Sequence, residues 1–176
     1  MRPASLADHA AIRAVLDAAF GEEGPSQIVD GVRAEGAALV ELVVAAGDEI
    51  VGYVLFSRMS VTTSFDPPLA GHPDSEAAMQ LPFVAGLGPV GVRPGAQNKG
   101  YGAELCRAGI EQLRAMGVDA VVVLGHETYY PRFGFAHEAT RLITSPFGDR
   151  EAFMALELTP EALARPLKID YPAAFG

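Results

Sequence analysis

The chain has almost no cysteine, no surplus of positive charge and no long apolar run, and each shortage excludes a class of protein. Its single cysteine, Cys106, cannot form an internal disulfide, which is typical of a reducing cytoplasm. The 22 acidic residues outnumber the 13 Lys and Arg residues, so the basic stripe of a nucleic-acid groove is missing. No apolar stretch approaches the roughly 20 residues that span a bilayer, and no signal core follows Met1. We expect a cytoplasmic protein without a nucleic-acid or membrane partner.

Acidic residues are also missing from one long stretch of this acidic chain. None occurs from Ala77 to Ala103, although Arg93 and Lys99 lie within that stretch. Because salt screens charges over roughly 8 Å, an anionic ligand would meet less repulsion here than elsewhere. The acids outside the stretch are compatible with a cationic substrate, but solubility is the simpler explanation for them. His9 and His137 have no metal-ligand spacing, so no metal site is expected.

The composition, with 49% hydrophobic and 20% charged residues, is that of one globular domain covering residues 1–176. Apolar residues recur at helical spacing after a capping pattern at Ser5 and Asp8, and again around Val29 and Leu105. Alternating or continuous apolar runs between these segments predict strands. The alternation predicts a mixed α/β domain. The predicted helices are a first one that ends near Gly21, two at 26–35 and 100–116, and a short one from Thr159. The predicted strands lie at 39–46, 50–56, 83–92, 120–124 and 153–158.

Two segments carry no regular pattern. Residues 62–80 include Asp66-Pro67-Pro68 and predict a long loop, either a substrate lid or a surface insertion. The tail from Arg165 to Gly176 contains Tyr171 and Phe175, which we expect to dock on the domain or on a partner subunit. A homodimer therefore stays open.

The most informative segment runs from Val90 to Ala103. A strand ending in Val92-Arg93-Pro94 leads into a loop, and two glycines, Gly100 and Gly102, open a helix. Free backbone N–H groups at a helix start attract phosphate, and glycines let the ligand approach the main chain closely. A Walker loop would need Gly-Lys-Ser/Thr here, and a dinucleotide fingerprint would need a third glycine near Leu105. Both are missing, so the segment predicts a different phosphate-bearing ligand.

Two motifs resemble those of the GNAT superfamily of N-acetyltransferases. Gln97, Gly100 and Gly102 match the family pattern Arg/Gln-x-x-Gly-x-Gly/Ala, and Tyr130-Pro131-Arg132-Phe133-Gly134-Phe135 matches its downstream pattern Tyr-x-x-x-Gly-Phe. The stretch from Leu124 to Phe135 is similar to one subgroup of bacterial N-acetyltransferases. The resemblance implies a central, mostly antiparallel sheet flanked by helices, acetyl-CoA as co-substrate and an unidentified amine as acceptor.

The resemblance also implies roles for individual residues. The backbone of Val90 and Val92 would pair with the pantetheine arm of acetyl-CoA, and the Val92 N–H would polarise the thioester carbonyl. Tyr130 would be the general acid that protonates the leaving thiolate, with the adjacent Tyr129 as the alternative. The cofactor-binding set implied in this way is Val90, Gly91, Val92, Gln97, Asn98, Lys99, Gly100, Tyr101, Gly102 and Ala103.

The base that takes a proton from the amine is left open. Many GNAT proteins place a carboxylate on the central strand, but residues 77–92 contain none. Glu127, His126, Glu76 and His72 are candidates because they lie near the motifs or in the loop.

Two further features of the sequence differ from the family pattern. A third, Cys106, bears on whether the acetyl group is transferred directly. Only Met1–Ala4 precede the first helix, so the first strand of the family is short or missing here. Val123 stands where many members carry an Asn that contacts the cofactor arm. Cys106 shares a helical row with Ile110 and Leu113, so we expect a buried thiol that carries no acetyl group.

The sequence therefore predicts an N-acetyltransferase that moves an acetyl group from acetyl-CoA to a primary amine directly, in a ternary complex. The alternative is a non-catalytic acyl-CoA-binding or sensing domain on the same fold. Such a domain would keep Gln97, Gly100 and Gly102 but would not need Tyr130.

Overall fold

A computed structural model describes residues 1–63, 80–148 and 150–176, and its centre is a six-stranded sheet. The described helices and strands are β1 (Arg2–Pro3), α1 (His9–Phe20), α2 (Gly24–Ala34), β2 (Ala38–Ala46), β3 (Glu49–Arg58), β4 (Ser60–Thr63), β5 (Val84–Val92), α3 (Tyr101–Ala115), β6 (Ala120–Leu124), β7 (Ile143–Thr144), β8 (Phe153–Glu157) and β9 (Leu167–Asp170). Short 3-10 turns occur at Leu6–Asp8, Pro94–Ala96, Tyr130–Phe133, Glu138–Thr140 and Ala173–Phe175.

The six strands lie in the order β1-β2-β3-β5-β6-β8, and every neighbouring pair is antiparallel except β5 and β6. A parallel pair needs a crossover connection, and α3 supplies it. A second sheet, in the order β4-β9-β7, joins the tail to the middle of the chain. The mixed, mostly antiparallel sheet flanked by helices confirms the predicted fold class, and β1, with two residues, is the short first strand.

Apolar side chains cover both faces of the large sheet. On one face α3 packs over a core that includes Phe56, Leu105 and Leu113. On the other face α1 and α2 cover a cluster around Tyr53, and the small sheet covers a cluster around Phe153. Because both faces are buried, β3 and β6 are nearly continuous apolar runs.

Polar contacts fix the two N-terminal helices. Before α1, the Ser5 N–H donates to the Asp8 carboxylate at 2.7 Å and Arg2 pairs with the same carboxylate at 2.6 Å, as the capping pattern predicts. At the end of α2, the Arg33 guanidinium donates to the Glu41 carboxylate of β2 at 2.5 Å. These contacts tie both helices to the edge of the sheet formed by β1 and β2.

The short helix predicted from Thr159 is wrong. Residues 159–164 form turns, since Glu161 adopts a left-handed φ of 63° that a helix does not contain. The Leu163 N–H donates instead to the Glu157 carboxylate at 2.8 Å, so a side chain replaces the helical acceptor.

Several other boundaries differ by one or two residues from the expected ones. The second helix begins at Gly24 and not at Ser26, because Pro25 suits a first helical turn, where no N–H is needed. The expected loop at 62–80 overlaps β4, and residues 64–79 lie outside the described part of the chain. Within the described part, no helix is long and apolar enough to cross a membrane.

Candidate functional site

The large sheet opens in its middle, between β5 and β6. The two strands pair in parallel only as far as Leu87 and Val123, and from there β5 pairs with β3 alone among the described strands. The separation leaves a gap through the sheet, lined by β5 on one side and by Leu124 and His126 on the other. An opening at the carboxyl ends of neighbouring parallel strands is a common place for ligands in α/β proteins.

A bulge in β5 lies at the start of this gap. Leu87 pairs with Phe56 and Val90 with Val54, so β5 uses one residue more than β3 over the same distance. Gly88 has a φ of +145°, which accommodates the extra residue, and the Gly88–Pro89 peptide is cis. As a result Val90 points to the α3 face of the sheet, as Leu87 does.

The main chain of β5 presents an unpaired edge to the gap. The Arg93 N–H donates to the Val51 carbonyl of β3 at 2.9 Å, and successive residues of a strand point their N–H groups to opposite sides. The N–H groups of Val92 and Val90 therefore point away from β3 and into the gap. The Val92 carbonyl accepts a hydrogen bond from Gln97 Nε2 at 3.0 Å, but among the described residues the two valine N–H groups have no strand partner.

The chain between β5 and α3 wraps around the start of the helix. After one 3-10 turn, Asn98 and Gly100 adopt left-handed φ values of 59° and 90°, and α3 begins at Tyr101. The N–H groups of its first turn have no intrahelical acceptor and carry the positive end of the helix dipole. We call this surface the helix wall: Val90, Val92, Ala96, Gln97, Asn98, Gly100, Tyr101, Gly102 and Ala103.

On the α1 face of the sheet the gap meets a surface of aromatic and aliphatic side chains. Phe147, Tyr171 and Phe175 form an aromatic cluster in which Tyr171 contacts each of the other two rings at a centroid distance of 5.1 Å. The two surfaces enclose a cavity of about 930 Å³, and none of its described lining residues is Asp or Glu. We call the second surface the tail wall: Phe20, Pro25, Ile28, Phe147, Tyr171 and Phe175.

Two adjacent tyrosines stand between the walls. The Tyr130 ring packs against Gly125 at the end of β6 and 5.9 Å from the Phe135 ring, and 7% of the residue is exposed. A Cβ on Gly102 would lie 3.2 Å from the Tyr129 hydroxyl, so that hydroxyl faces the first turn of α3. Both tyrosines line the cavity, and no described residue hydrogen-bonds either hydroxyl. Tyr130 thus lies where the strands separate, and Tyr129 lies at the helix start.

Burial sets the protonation of three groups around the cavity. Burial and the nearby Cys106 thiol raise the pKa of the Tyr129 and Tyr130 hydroxyls above the ordinary tyrosine value. Burial also raises the pKa of Cys106 to about 12, and the residue is fully buried, as predicted. All three groups are neutral at physiological pH, so the tyrosines are hydrogen-bond donors and Cys106 is unreactive.

Some residues implied by the family resemblance lie outside the cavity lining. Gly91 turns its main chain toward β3, and a Cβ there would lie 2.9 Å from Leu16 of α1. Lys99 is exposed and does not line the cavity. Arg93, which lies in the acid-free stretch, pairs with Glu49 at 2.7 Å.

Of the four candidates for the base, two fall within the described residues. His126 follows β6 and lines the cavity, whereas its exposed neighbour Glu127 does not. Glu76 and His72 lie outside the described residues. The geometry therefore favours His126 among the candidates that can be placed.

Several lining residues were not expected at the site from the sequence, among them Arg132, Phe147 and Tyr171. Arg132 lies inside the Tyr-x-x-x-Gly-Phe motif, and its guanidinium stacks 4.4 Å from the Tyr129 ring centroid. Its position within the motif is a signal that could have found it. Phe147 and Tyr171 carry no such local signal, because they meet only through the pairing of β7 with β9.

Comparison with known sequences gives consistent matches. The sequence model of the acetyltransferase (GNAT) family matches residues 10–135. The uncharacterized N-acetyltransferase YjhQ of Escherichia coli K12 is 38% identical over 130 residues, which cover 73% of this chain and 64% of YjhQ. The match therefore spans less than two thirds of the length of YjhQ. The uncharacterized N-acetyltransferase YhbS of the same strain is 30% identical over 161 residues, 89% of this chain and 85% of YhbS.

Solved structures with the same fold cover nearly all of this chain. The crystal structure of the GNAT family N-acetyltransferase YhbS from Escherichia coli in complex with CoA has a TM-score of 0.81 at 25% identity, covering 99% of this chain and 89% of that one. A GNAT family acetyltransferase from Brucella melitensis in complex with acetyl-CoA has a TM-score of 0.74 at 29% identity, covering 99% and 96%.

Proposed function

This chain belongs to the acetyltransferase (GNAT) family, and we propose that it transfers the acetyl group of acetyl-CoA directly to a primary amine. The observation that carries the proposal is the unpaired edge of β5, where the N–H groups of Val90 and Val92 face the gap beside the first turn of α3. A ligand arm that contains amides can add to such an edge as a strand does. The two similar structures are complexes with CoA and acetyl-CoA.

In this proposal the phosphates of acetyl-CoA bind at the helix wall. Residues from Gln97 to Ala103 offer main-chain N–H groups at a helix start, within a described lining free of acids. Arg132 adds a positive charge beside them, since it lines the same cavity. The pantetheine arm then follows Val92 and Val90 toward the point where β5 and β6 separate.

The reaction is a direct transfer between two bound substrates. The amine nitrogen attacks the thioester carbon, a C–N bond forms, and the C–S bond breaks to release the CoA thiolate. A valine N–H of the β5 edge stabilises the negative charge on the carbonyl oxygen. Tyr130 is the general acid that gives a proton to the sulfur, and the proton that the nitrogen loses as the amide forms returns through solvent to Tyr130. Because its raised pKa lies above the roughly 8.5 of a thiol, part of its effect comes from hydrogen bonding to the sulfur in the transition state.

The amine must be neutral before it can attack. An alkylammonium with a pKa near 10.4 leaves about one molecule in 10³ neutral at pH 7, a deficit of roughly 4–5 kcal/mol. We assign the removal of this proton to His126 together with solvent, because His126 is the described candidate that lines the cavity.

Release of CoA tests the proposed function. Purified protein is mixed with acetyl-CoA and a panel of primary amines, free thiol is followed with a chromogenic reagent, and product mass is measured. We expect amine-dependent release and a product heavier by one acetyl group. Binding of acetyl-CoA in calorimetry without release from any amine would support the non-catalytic sensing alternative and contradict the proposal.

A further inference from the structure

Pairing between β7 and β9 positions the tail wall. These strands lie far along the chain from the segment that forms the helix wall. β7 and β9 lie parallel, with Ile143 paired to Leu167, so the residues that follow them arrive at the same end of the small sheet. Phe147 follows β7 and Tyr171 follows β9, and their rings meet edge to face at 80°. The guanidinium of Arg150 lies 5.5 Å from the Phe147 ring centroid. The two rings are therefore held in place before any ligand arrives.

A carboxylate at the end of α2 holds the end of the tail. Glu35, which follows α2, accepts hydrogen bonds from the N–H groups of Ala174 at 2.8 Å and Ala173 at 3.1 Å. The tail approaches α2 so closely that a Cβ on Gly31 would lie 2.6 Å from the Ala174 Cβ. The tail thus docks on its own domain, and Phe175 is held against the α2 side of the cavity.

One polar atom of the tail wall has no hydrogen-bond partner among the described residues. The Tyr171 hydroxyl is buried and makes no hydrogen bond to any described residue. A buried hydroxyl is destabilising unless a partner is supplied, so a ligand with one polar group would complete it. The aromatic rings around it pack well against an aromatic body, which leaves the amine at the other end of the acceptor to reach the gap. A second cation would meet no carboxylate among the described lining residues.

We propose that the tail wall binds the acceptor, and that the acceptor is a small primary amine on a body of one aromatic ring, without a second positive charge. Tyr171 is the specificity-determining residue, which hydrogen-bonds a polar substituent of that ring. The inference rests on the proposed function, since the acceptor shares the cavity with the acetylated arm. A cavity of about 930 Å³ has the size of a site for small molecules, and the arm occupies part of it.

A matched panel of acceptors tests the inference. Tyramine, 2-phenylethylamine, spermidine and a C-terminally amidated peptide that begins with phenylalanine are compared at saturating acetyl-CoA. We expect kcat/KM for tyramine to exceed that for spermidine and for the peptide by about 10-fold or more. Equal or faster acetylation of spermidine or the peptide would overturn the inference while leaving acetyl transfer intact. No CoA release from any amine would overturn the proposed function, and the inference with it.

Two kinds of variant distinguish the effect of the Tyr171 hydroxyl from the effect of how the tail is positioned. Tyr171→Phe should lower kcat/KM for tyramine by about 10-fold, to the value for 2-phenylethylamine, because only the hydroxyl is lost. Glu35→Ala should raise the KM for tyramine several-fold with little change in kcat, because Glu35 is a positioning residue. Glu35→Gln keeps one of the two acceptor oxygens, so its rise in KM should be smaller than that of Glu35→Ala.

Acetyl-CoA affinity by calorimetry reports whether each variant is folded, and it should stay unchanged. Glu111→Ala is the matched control, because this exposed carboxylate on α3 pairs only with Arg114 among the described residues. An equal rise in KM in Glu111→Ala and Glu35→Ala, or no change in acceptor preference in Tyr171→Phe, would overturn the inference.

Discussion

The helix wall and the tail wall face one cavity, yet they offer a ligand different chemical groups. The helix wall offers main-chain N–H groups, and its residues lie within the single stretch from Val90 to Ala103. The tail wall offers aromatic rings and one hydroxyl, drawn from the ends of α1, α2, β7 and β9. Main-chain groups are fixed by the fold and suit a ligand shared by a whole family. Side chains can be exchanged without changing the fold, so they suit a ligand that differs between members.

The largest effect should come from a charge placed on the helix wall. Gly102→Glu adds a side chain and a carboxylate where we place the phosphates, and both sterics and charge oppose binding. Calorimetry with acetyl-CoA should give heat for the wild type and none for the variant. Gly95→Glu is the matched control, since it adds the same charge where a Cβ meets nothing within 4 Å and lies outside the lining. Equal affinity of wild type and Gly102→Glu would refute the assignment of this wall.

The next effect distinguishes the two tyrosines between the walls. Tyr130→Phe should lower kcat by about 10²–10⁴-fold, because the donor to the departing sulfur is lost. Acetyl-CoA affinity should stay nearly unchanged, since the ring keeps its packing. Tyr129→Phe should act mainly on acetyl-CoA affinity, because its hydroxyl faces the first turn of α3. A larger loss of kcat in Tyr129→Phe would exchange the two roles.

A smaller effect is expected beneath the helix wall, at Cys106. Because the thiol is buried and its pKa is raised to about 12, Cys106→Ala should keep activity within about twofold and lose about 1 kcal/mol of stability. Intact mass after incubation with acetyl-CoA alone should reveal no acetyl adduct. An acetylated wild type that turns over on adding amine, together with an inactive Cys106→Ala, would replace direct transfer by a ping-pong route.

The smallest effect concerns α1, which brings Phe20 to the tail wall. Hydrogen bonds from Arg2 and Ser5 hold the pKa of Asp8 well below its usual range. A lowered pKa adds stability above the unfolded value of about 3.9, and that stability is lost as pH falls through the folded value. Asp8→Asn should therefore lower Tm slightly near pH 7, and the difference should shrink below about pH 4. A constant difference across this range would contradict the pairing.

The two walls also differ in how far the sequence predicts them. The helix wall depends on neighbours in the chain, so Gln97, Gly100 and Gly102 predict its turn and helix start without tertiary information. The gap beside it is harder to foresee, because the bulge at Gly88 depends on the register of β5 against β3. Even so, the predicted strand at 83–92 and the observed β5 differ by one residue.

The tail wall depends on pairing between distant segments, which local patterns do not encode. Ser60 pairs with Asp170 across more than half the chain, and that pairing positions Tyr171. The failed helix at Thr159 has a related cause, since the Glu157 side chain supplies an acceptor that propensity ignores. Aromatic residues in the tail are visible in the sequence, but their meeting with Phe147 is not.

In the proposed complex, Val90 and Val92 contact acetyl-CoA through the main chain only, so their side chains are free to pack in the core. The Val92 side chain packs beside Leu105 in the α3 core, so drift among apolar residues of similar size would be selected for packing alone. A proline at either position would instead remove the backbone N–H, and with it the proposed contact to acetyl-CoA, in a single substitution. Under the proposed function, exchange of tail-wall side chains would change the acceptor while the β5 edge continued to bind acetyl-CoA.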